Sequence, residues 1–228
     1  MRLLACADFH GSREAVEKVS DLALDEETDL IIVAGDIANN NLRTATEFLG
    51  ILKNKTNLPT LFVPGNLDTK SLADWHDASV QSIHGRAYNC QGFVFLGLGG
   101  ASRGPFYTPF EYDESEAASI LDEAYRSVKE EKLILVSHCP PKNTSIDRTF
   151  SGVHAGSISV RRFMEKAEPI LVICAHIHEG RGVDRIGETR LVNTGAAFQG
   201  YYATLRLDEE LKIDLARFSE WEDTVKNK

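Results

Sequence analysis

RLLACAD (residues 2–8), DLIIVAGD (29–36), TLFVPGN (60–66), KLILVSH (132–138) and ILVICAH (170–176) are the stretches that decide the fold. Each centres on a short apolar run, too brief for a helix, as expected of a parallel strand buried on both faces. Each also ends in an oxygen or nitrogen donor. In open α/β sheets the ligand crevice lies beyond the carboxyl ends of the strands. Five strand ends therefore deliver Asp8, His10, Asp36, Asn66, His138, His176 and His178 to one rim. Seven such donors make a metal site, and their number suits two ions.

The 228 residues are 43% hydrophobic and 26% charged, enough for one α/β domain that needs no disulfide or structural metal. Neither a repeat, a low-complexity tract nor a linker divides the chain, so residues 1–228 are read as one domain. The formal net charge of -9 argues against nucleic acid as a partner, since a sequence-independent binder needs a basic footprint. An anionic substrate stays compatible with it, because bound divalent ions invert the local field. No stretch reaches the roughly 18 apolar residues of a spanning helix, and the few apolar residues before Asp8 leave no room for a cleavable leader. No membrane is implied, and the cytoplasm is the expected compartment. Cys6, Cys90, Cys139 and Cys174 form no CxxC pair. Three of them stand on or beside the donor-bearing strands, where a thiol packs as a small hydrophobe; if any departs from that, it is Cys139, next to His138, as an oxidation-sensitive thiol.

Residues 2–79 alternate strand and helix, which predicts right-handed βαβ units. The first helix is expected over 13–26, with Ser12 as N-cap and Ala15, Val19, Leu22 and Ala23 facing inward. The second follows Asn39-Asn40-Asn41, with Ala45, Phe48, Leu49 and Leu52 as its apolar stripe, and a third, shorter one occupies 70–78. Beyond residue 80 a strand at 93–98 is followed by a long loop over 99–109. Asp113 and Glu116 resemble a capping box opening a helix to about Glu131. Strands at 133–138 and 171–176 flank a loop and a helix near 158–167. Runs at 190–195, 201–207 and 211–218 read as strands joined by tight turns. This second half suggests another sheet packed on the first, with helices outside both. The final ten residues, with Trp221, fit either a docked turn or a frayed end.

In Asp8-x-His10 the side chains stand two apart, so at an extended strand end they project to one side and can grip one ion. His176-x-His178 repeats the logic, with the loop free to send each imidazole to a different ion. Asp36 and Asn66 each follow a glycine, which permits a tight turn. A carboxylate can bridge two cations about 3.5–4 Å apart. Two divalent ions, two aspartates and a bridging hydroxide leave the centre formally at about +1, a landing place for a phosphoryl group, with the hydroxide as nucleophile. Nitrogen and oxygen donors without thiolate suit Mn, Fe, Zn or Ni better than Ca or Mg.

The ordered blocks Asp8-x-His10, Gly35-Asp36, Gly65-Asn66, His138 and His176-x-His178 resemble the calcineurin-like metallophosphoesterase superfamily, in style closest to its small prokaryotic Icc-related phosphoesterases. Asn193-Thr194-Gly195 is similar to the Asn-Pro-Gly segment that often follows. The resemblance implies a four-layer αββα sandwich of two mixed sheets flanked by helices. It implies a hydrolase for a small phosphorylated substrate, with one ion on Asp8, His10, Asp36 and His178 and the other on Asp36, Asn66, His138 and His176. Two departures stand out. Leu67 replaces the histidine that assists the leaving group, and Ala175 replaces the glycine before His-x-His.

Plainer roles compete with these. Asp68 is either a helix cap or a catalytic side chain. His154, in the glycine-bracketed loop 152–157 before a helix whose N-terminus can bind an anion, is either an exposed loop histidine or a substitute acid. His76 and His84 lack supporting spacing and read as ordinary surface or helix residues. Asn39 and Asn40 read as caps, with a substrate contact open beside Asp36. A non-catalytic scaffold on the same fold, and a nuclease of the superfamily, are the alternative functions.

Overall fold

All five donor-tipped runs form strands in the computed structural model, which describes residues 1–128 and 132–218. The chain begins with β1 (Arg2–Cys6), α1 (Arg13–Asp25), β2 (Leu30–Val33), α2 (Leu42–Thr56) and β3 (Thr60–Phe62). Next come β4 (His76–Asp77), β5 (Val80–Ser82), β6 (Ala87–Cys90), β7 (Phe93–Leu98) and the short pair β8 (Ala101–Ser102) and β9 (Glu111–Tyr112). Then follow α3 (Glu114–Tyr125), β10 (Lys132–Ser137), α4 (Ile158–Ala167) and β11 (Leu171–Cys174). The closing strands are β12 (Gly182–Ile186), β13 (Thr189–Asn193), β14 (Tyr201–Leu207) and β15 (Leu211–Arg217).

Two large mixed sheets result, ordered β15-β14-β1-β2-β3-β5-β4 and β12-β13-β11-β10-β7-β6. The pleat divides each buried strand between two cores. Leu4, Cys6, Ile31 and Val33 pack with Val16, Val19, Phe48 and Leu49 of α1 and α2. Leu3, Ala5, Leu30 and Ile32 meet Ile134, Val136, Leu171 and Ile173 between the sheets. Leu133, Leu135, Val172 and Cys174 pack with Leu121, Val160 and Phe163 of α3 and α4. This is the four-layer αββα sandwich that the resemblance implied. It explains why the strands read as continuous apolar runs: both faces are covered, and each Leu, Ile or Val so buried contributes roughly 1.5–3 kcal/mol. No helix among the described residues is long and apolar enough to cross a membrane.

The capping chemistry of the first two helices follows the sequence. Ser12 Oγ accepts from the N–H of Ala15, and Asn41 Oδ1 from that of Thr44. Leu22 is only half-buried against the core. Elsewhere the structure corrects the reading. Only a 3-10 turn forms at Lys70–Asp74, because His76 and Asp77 pair with β5 instead of continuing a helix. Asp113 makes no side-chain cap bond and instead binds Arg103 at 2.7 Å, and α3 stops at Tyr125. The expected end at Glu131 lies outside the described residues, as do the final ten with Trp221. β14 and β15 join the first sheet, not the second, with β14 antiparallel to β1.

Candidate metal centre

The seven donors occupy strand ends whose backbone is bent sharply out of line. Asp8, His10, Asp36 and His176 all have positive φ, between 47° and 66°, a left-handed region that non-glycine residues enter in only a few per cent of cases, Asp and His more readily than most. The turned loops hold each other: the Asp8 N–H donates to Gly35 O at 2.8 Å and the His10 N–H to Asp36 O at 2.9 Å. Gly35 and Gly65 are required by close approach. A Cβ on Gly65 would overlap Asp36 Oδ1, and one on Gly35 would overlap His138 Nδ1. Ala175 has no positive φ, which is why alanine serves where the family has glycine.

The side chains converge. His10 Nε2 lies 3.8 Å from Asp8 Oδ1, 3.9 Å from Asp36 Oδ2 and 3.4 Å from His178 Nε2. His138 Nε2 lies 3.6 Å from Asp36 Oδ2 and 2.9 Å from Asn66 Oδ1. The His176 ring packs against His138 at 4.9 Å. Asp36 Oδ2 thus stands between the two groups, while its Oδ1 accepts the Leu67 N–H at 2.8 Å. Asp8 also faces both: ligand atoms of Asp8, His10 and His178, and of Asp8, Asp36 and His138, lie within 4.8 Å of one another.

These contacts are a fit test for cations. His138 Nδ1 donates to the Ala34 carbonyl at 2.7 Å, which leaves Nε2 as the ring atom that faces Asn66 Oδ1 at 2.9 Å. Asn39 Nδ2 donates to His10 O, which turns Asn39 Oδ1 toward His10 Nδ1 at 3.1 Å and leaves His10 Nε2 facing the two aspartates and His178. Asp8 Oδ1 is buried with no hydrogen-bond partner. A buried carboxylate oxygen without a partner is costly unless a cation joins it. Burial pushes the Asp8 carboxyl up, but the imidazoles of His178, His138 and His10 outweigh it and hold it below its usual range. Burial raises Asp36, and it drives His176 down to about 3, a neutral ring ready to ligate.

A shell of residues positions these donors. Phe198 packs edge-on against both His10 and His178, at 5.2 and 5.5 Å. Asn193 Nδ2 donates to the carbonyls of Ile146, Ala175 and Ile177, fixing the His176-x-His178 turn. Phe198 left no signal in the sequence; Asn193 was visible only through its resemblance to the Asn-Pro-Gly segment. His84, expected at the surface, accepts the Gly99 N–H at 2.9 Å, and burial takes it down to about 4.

The structure brings neither Asp68 nor His154 into hydrogen-bonding contact with the seven side chains. Asp68 is wholly buried, and its two oxygens accept the N–H groups of Ile37, Ala38 and Gly65. It ties the Asp36 loop to the Asn66 loop, and burial, with the Asp36 carboxylate nearby, pushes its carboxyl up to about 6. His154 Nδ1 bonds Asp147 Oδ1 at 2.6 Å, and Asp147 also accepts backbone N–H groups of Asn143, Thr144 and Gly156. The N-terminus of α4 is already occupied by an anion of the chain itself, the Glu114 carboxylate, which accepts from Ile158 N and Ser159 N. Asn39 serves His10 rather than a helix cap. Cys139 is 1% exposed and burial takes its thiol up to about 12, the opposite of an oxidation-sensitive site.

The family model described as calcineurin-like phosphoesterase matches residues 1–180. An uncharacterized protein of Methanocaldococcus jannaschii is 34% identical over 199 residues, covering 85% of this chain and 87% of that protein. A crystal structure from Thermus thermophilus is similar with a TM-score of 0.74 at 24% identity, over 95% of this chain and 98% of that one. A dimetal phosphatase from Danio rerio shares the fold at a TM-score of 0.66 and 12% identity, over 95% and 96% of the two chains.

Proposed function

Because the chain belongs to the calcineurin-like phosphoesterase family, we propose that it hydrolyses a small phosphorylated substrate at a centre of two divalent transition-metal ions. Asp8, His10, Asp36 and His178 would hold one ion; Asp36, Asn66, His138 and His176 the other. The observation that carries this reading is the clustering of metal-ligand atoms around the buried, unpartnered Asp8 Oδ1, with His138 Nε2 2.9 Å from Asn66 Oδ1. Imidazole and oxygen donors without thiolate favour Mn, Fe, Zn or Ni.

When bound, such ions polarise phosphoryl oxygens and supply an activated water at neutral pH. The chain's residues prepare that chemistry. Ala34 O and Asn39 fix the tautomers of His138 and His10, so that Nε2 of each ring points inward. Leu67 N–H engages Asp36 Oδ1 and leaves Oδ2 turned toward His10 and His138. Phe198 packs edge-on against both imidazoles and limits their rotation.

Purified protein incubated with Mn and desalted is expected to retain close to two ions per chain by elemental analysis and to hydrolyse phosphoesters. Asp36→Asn should abolish the hydrolysis, because its carboxylate serves both ions, while Cys139→Ser keeps most of it. Absence of stoichiometric uptake of Mn, Zn, Fe or Ni would sink the two-ion reading. A Cys139→Ser protein as inactive as Asp36→Asn, with its fold intact, would overturn the roles.

A further inference from the structure

A cavity of about 640 Å³ opens beside Asn66 and His176, walled by the loop between β8 and β9 and by the segment that precedes α4. Volumes of roughly 300–1,000 Å³ suit whole small molecules, so there is room for much more than a phosphoryl group. Two properties of the wall say what fills it. Phe106 lines the cavity yet keeps 84% of its surface in solvent, and Tyr107 beside it is 90% exposed. An aromatic face left open at a pocket mouth is a stacking platform for a planar ring.

The second property is charge. Arg103 and Lys142 line the cavity against Glu111, Asp113, Glu114 and Glu179, two cations facing four carboxylates, formally -2. Arg103 is moreover committed to Asp113, Nε to Oδ1 at 2.7 Å and Nη2 to Oδ2 at 3.2 Å. A negative group entering alongside the phosphoryl group meets a wall of its own sign.

We infer that this cavity is the leaving-group pocket, that it takes an uncharged leaving group bearing a planar aromatic ring stacked on Phe106, and that it rejects leaving groups carrying a further negative charge. The inference rests on the phosphoesterase reading above and specifies the substrate class of that same site.

The test is calorimetric binding of three phosphonates to the Mn-loaded protein, with turnover of the matching phosphate esters measured alongside. Benzylphosphonate should bind about tenfold tighter than methylphosphonate, the increment expected of one stacked ring. 4-Carboxybenzylphosphonate should lose most of that advantage. Phe106→Ala should cut the benzyl-to-methyl ratio at least fivefold. Asp113→Asn should narrow the carboxylate penalty; Asp113 makes no cap bond, so α3 keeps its start. Equal binding of benzyl and methyl probes, a carboxylate without penalty, or a ratio indifferent to Phe106→Ala overturns the inference. Ring preference without turnover would sink the hydrolase and leave the pocket, whereas turnover without ring preference would sink the pocket alone. No binding of any probe overturns both.

Discussion

Leu67 stands between two residues that build the centre, Asn66 and Asp68, and contributes only its backbone. Its N–H donates to Asp36 Oδ1 at 2.8 Å, and its carbonyl accepts the Asn40 N–H at 2.6 Å. The half-buried hydrocarbon side chain has no proton to give a departing alkoxide. General-acid assistance is typically worth about 10²–10⁴-fold, so its loss should be visible in leaving-group chemistry. Across a series of aryl and alkyl esters, kcat/KM is expected to fall steeply as leaving-group pKa rises, and Leu67→His is expected to flatten that dependence. A wild-type series already flat, with chemistry limiting, would mean that another group donates the proton.

At the scale of elements, the glycine–donor pairs reflect how closely the ends of β2 and β3 approach. Because a Cβ on Gly65 would overlap the Asp36 carboxylate, Gly65→Ala should push Asp36 out of place. The expected result is loss of stoichiometric Mn uptake with an unchanged circular dichroism spectrum; full uptake would show that the loop relaxes at no cost. The donor-tipped strands were legible because burial on both faces writes a continuous apolar run, and α1, α2 and α4 because caps and apolar stripes are local signals. β4, β6 and β12 were not, being short and partly exposed, with polar residues that alternate with nothing. The sheet to which β14 belongs could not be read either, since its partner β1 lies about two hundred residues away and pairing across that distance leaves no local mark. The donor set was readable for the same reason as the strands that carry it. Its positioning shell was hidden, because Asn193 and Asp68 act on backbone groups, which every residue possesses, and Phe198 acts through shape.

At the scale of the molecule, one carboxylate ties together the helical layer over the second sheet. Glu114 opens α3 and accepts from Ser102 Oγ at 2.7 Å, Ser157 Oγ at 2.8 Å, and the Ile158 and Ser159 N–H groups at 3.0 and 2.7 Å. It thereby joins α3 to the start of α4 and to β8, the strand that roots the cavity loop. Burial alone would raise its carboxyl, but the bonds from Ser159, Ser102 and Ser157 outweigh this and bring it down to about 2 from an ordinary value near 4.5. A carboxyl whose pKa is lower folded than unfolded stabilises the protein when ionised. Its contribution is therefore complete above about pH 4.5 and is lost as the pH falls toward 2. Because the side chain is only half-buried, solvent screens it, and a loss of about 1 kcal/mol is expected for Glu114→Gln at pH 7. Urea midpoints of the two proteins should converge as the pH is lowered from 7 to 3. A gap that stays constant over that range would show that Glu114 acts through shape and packing, and that its charge plays no part in holding α3 to α4.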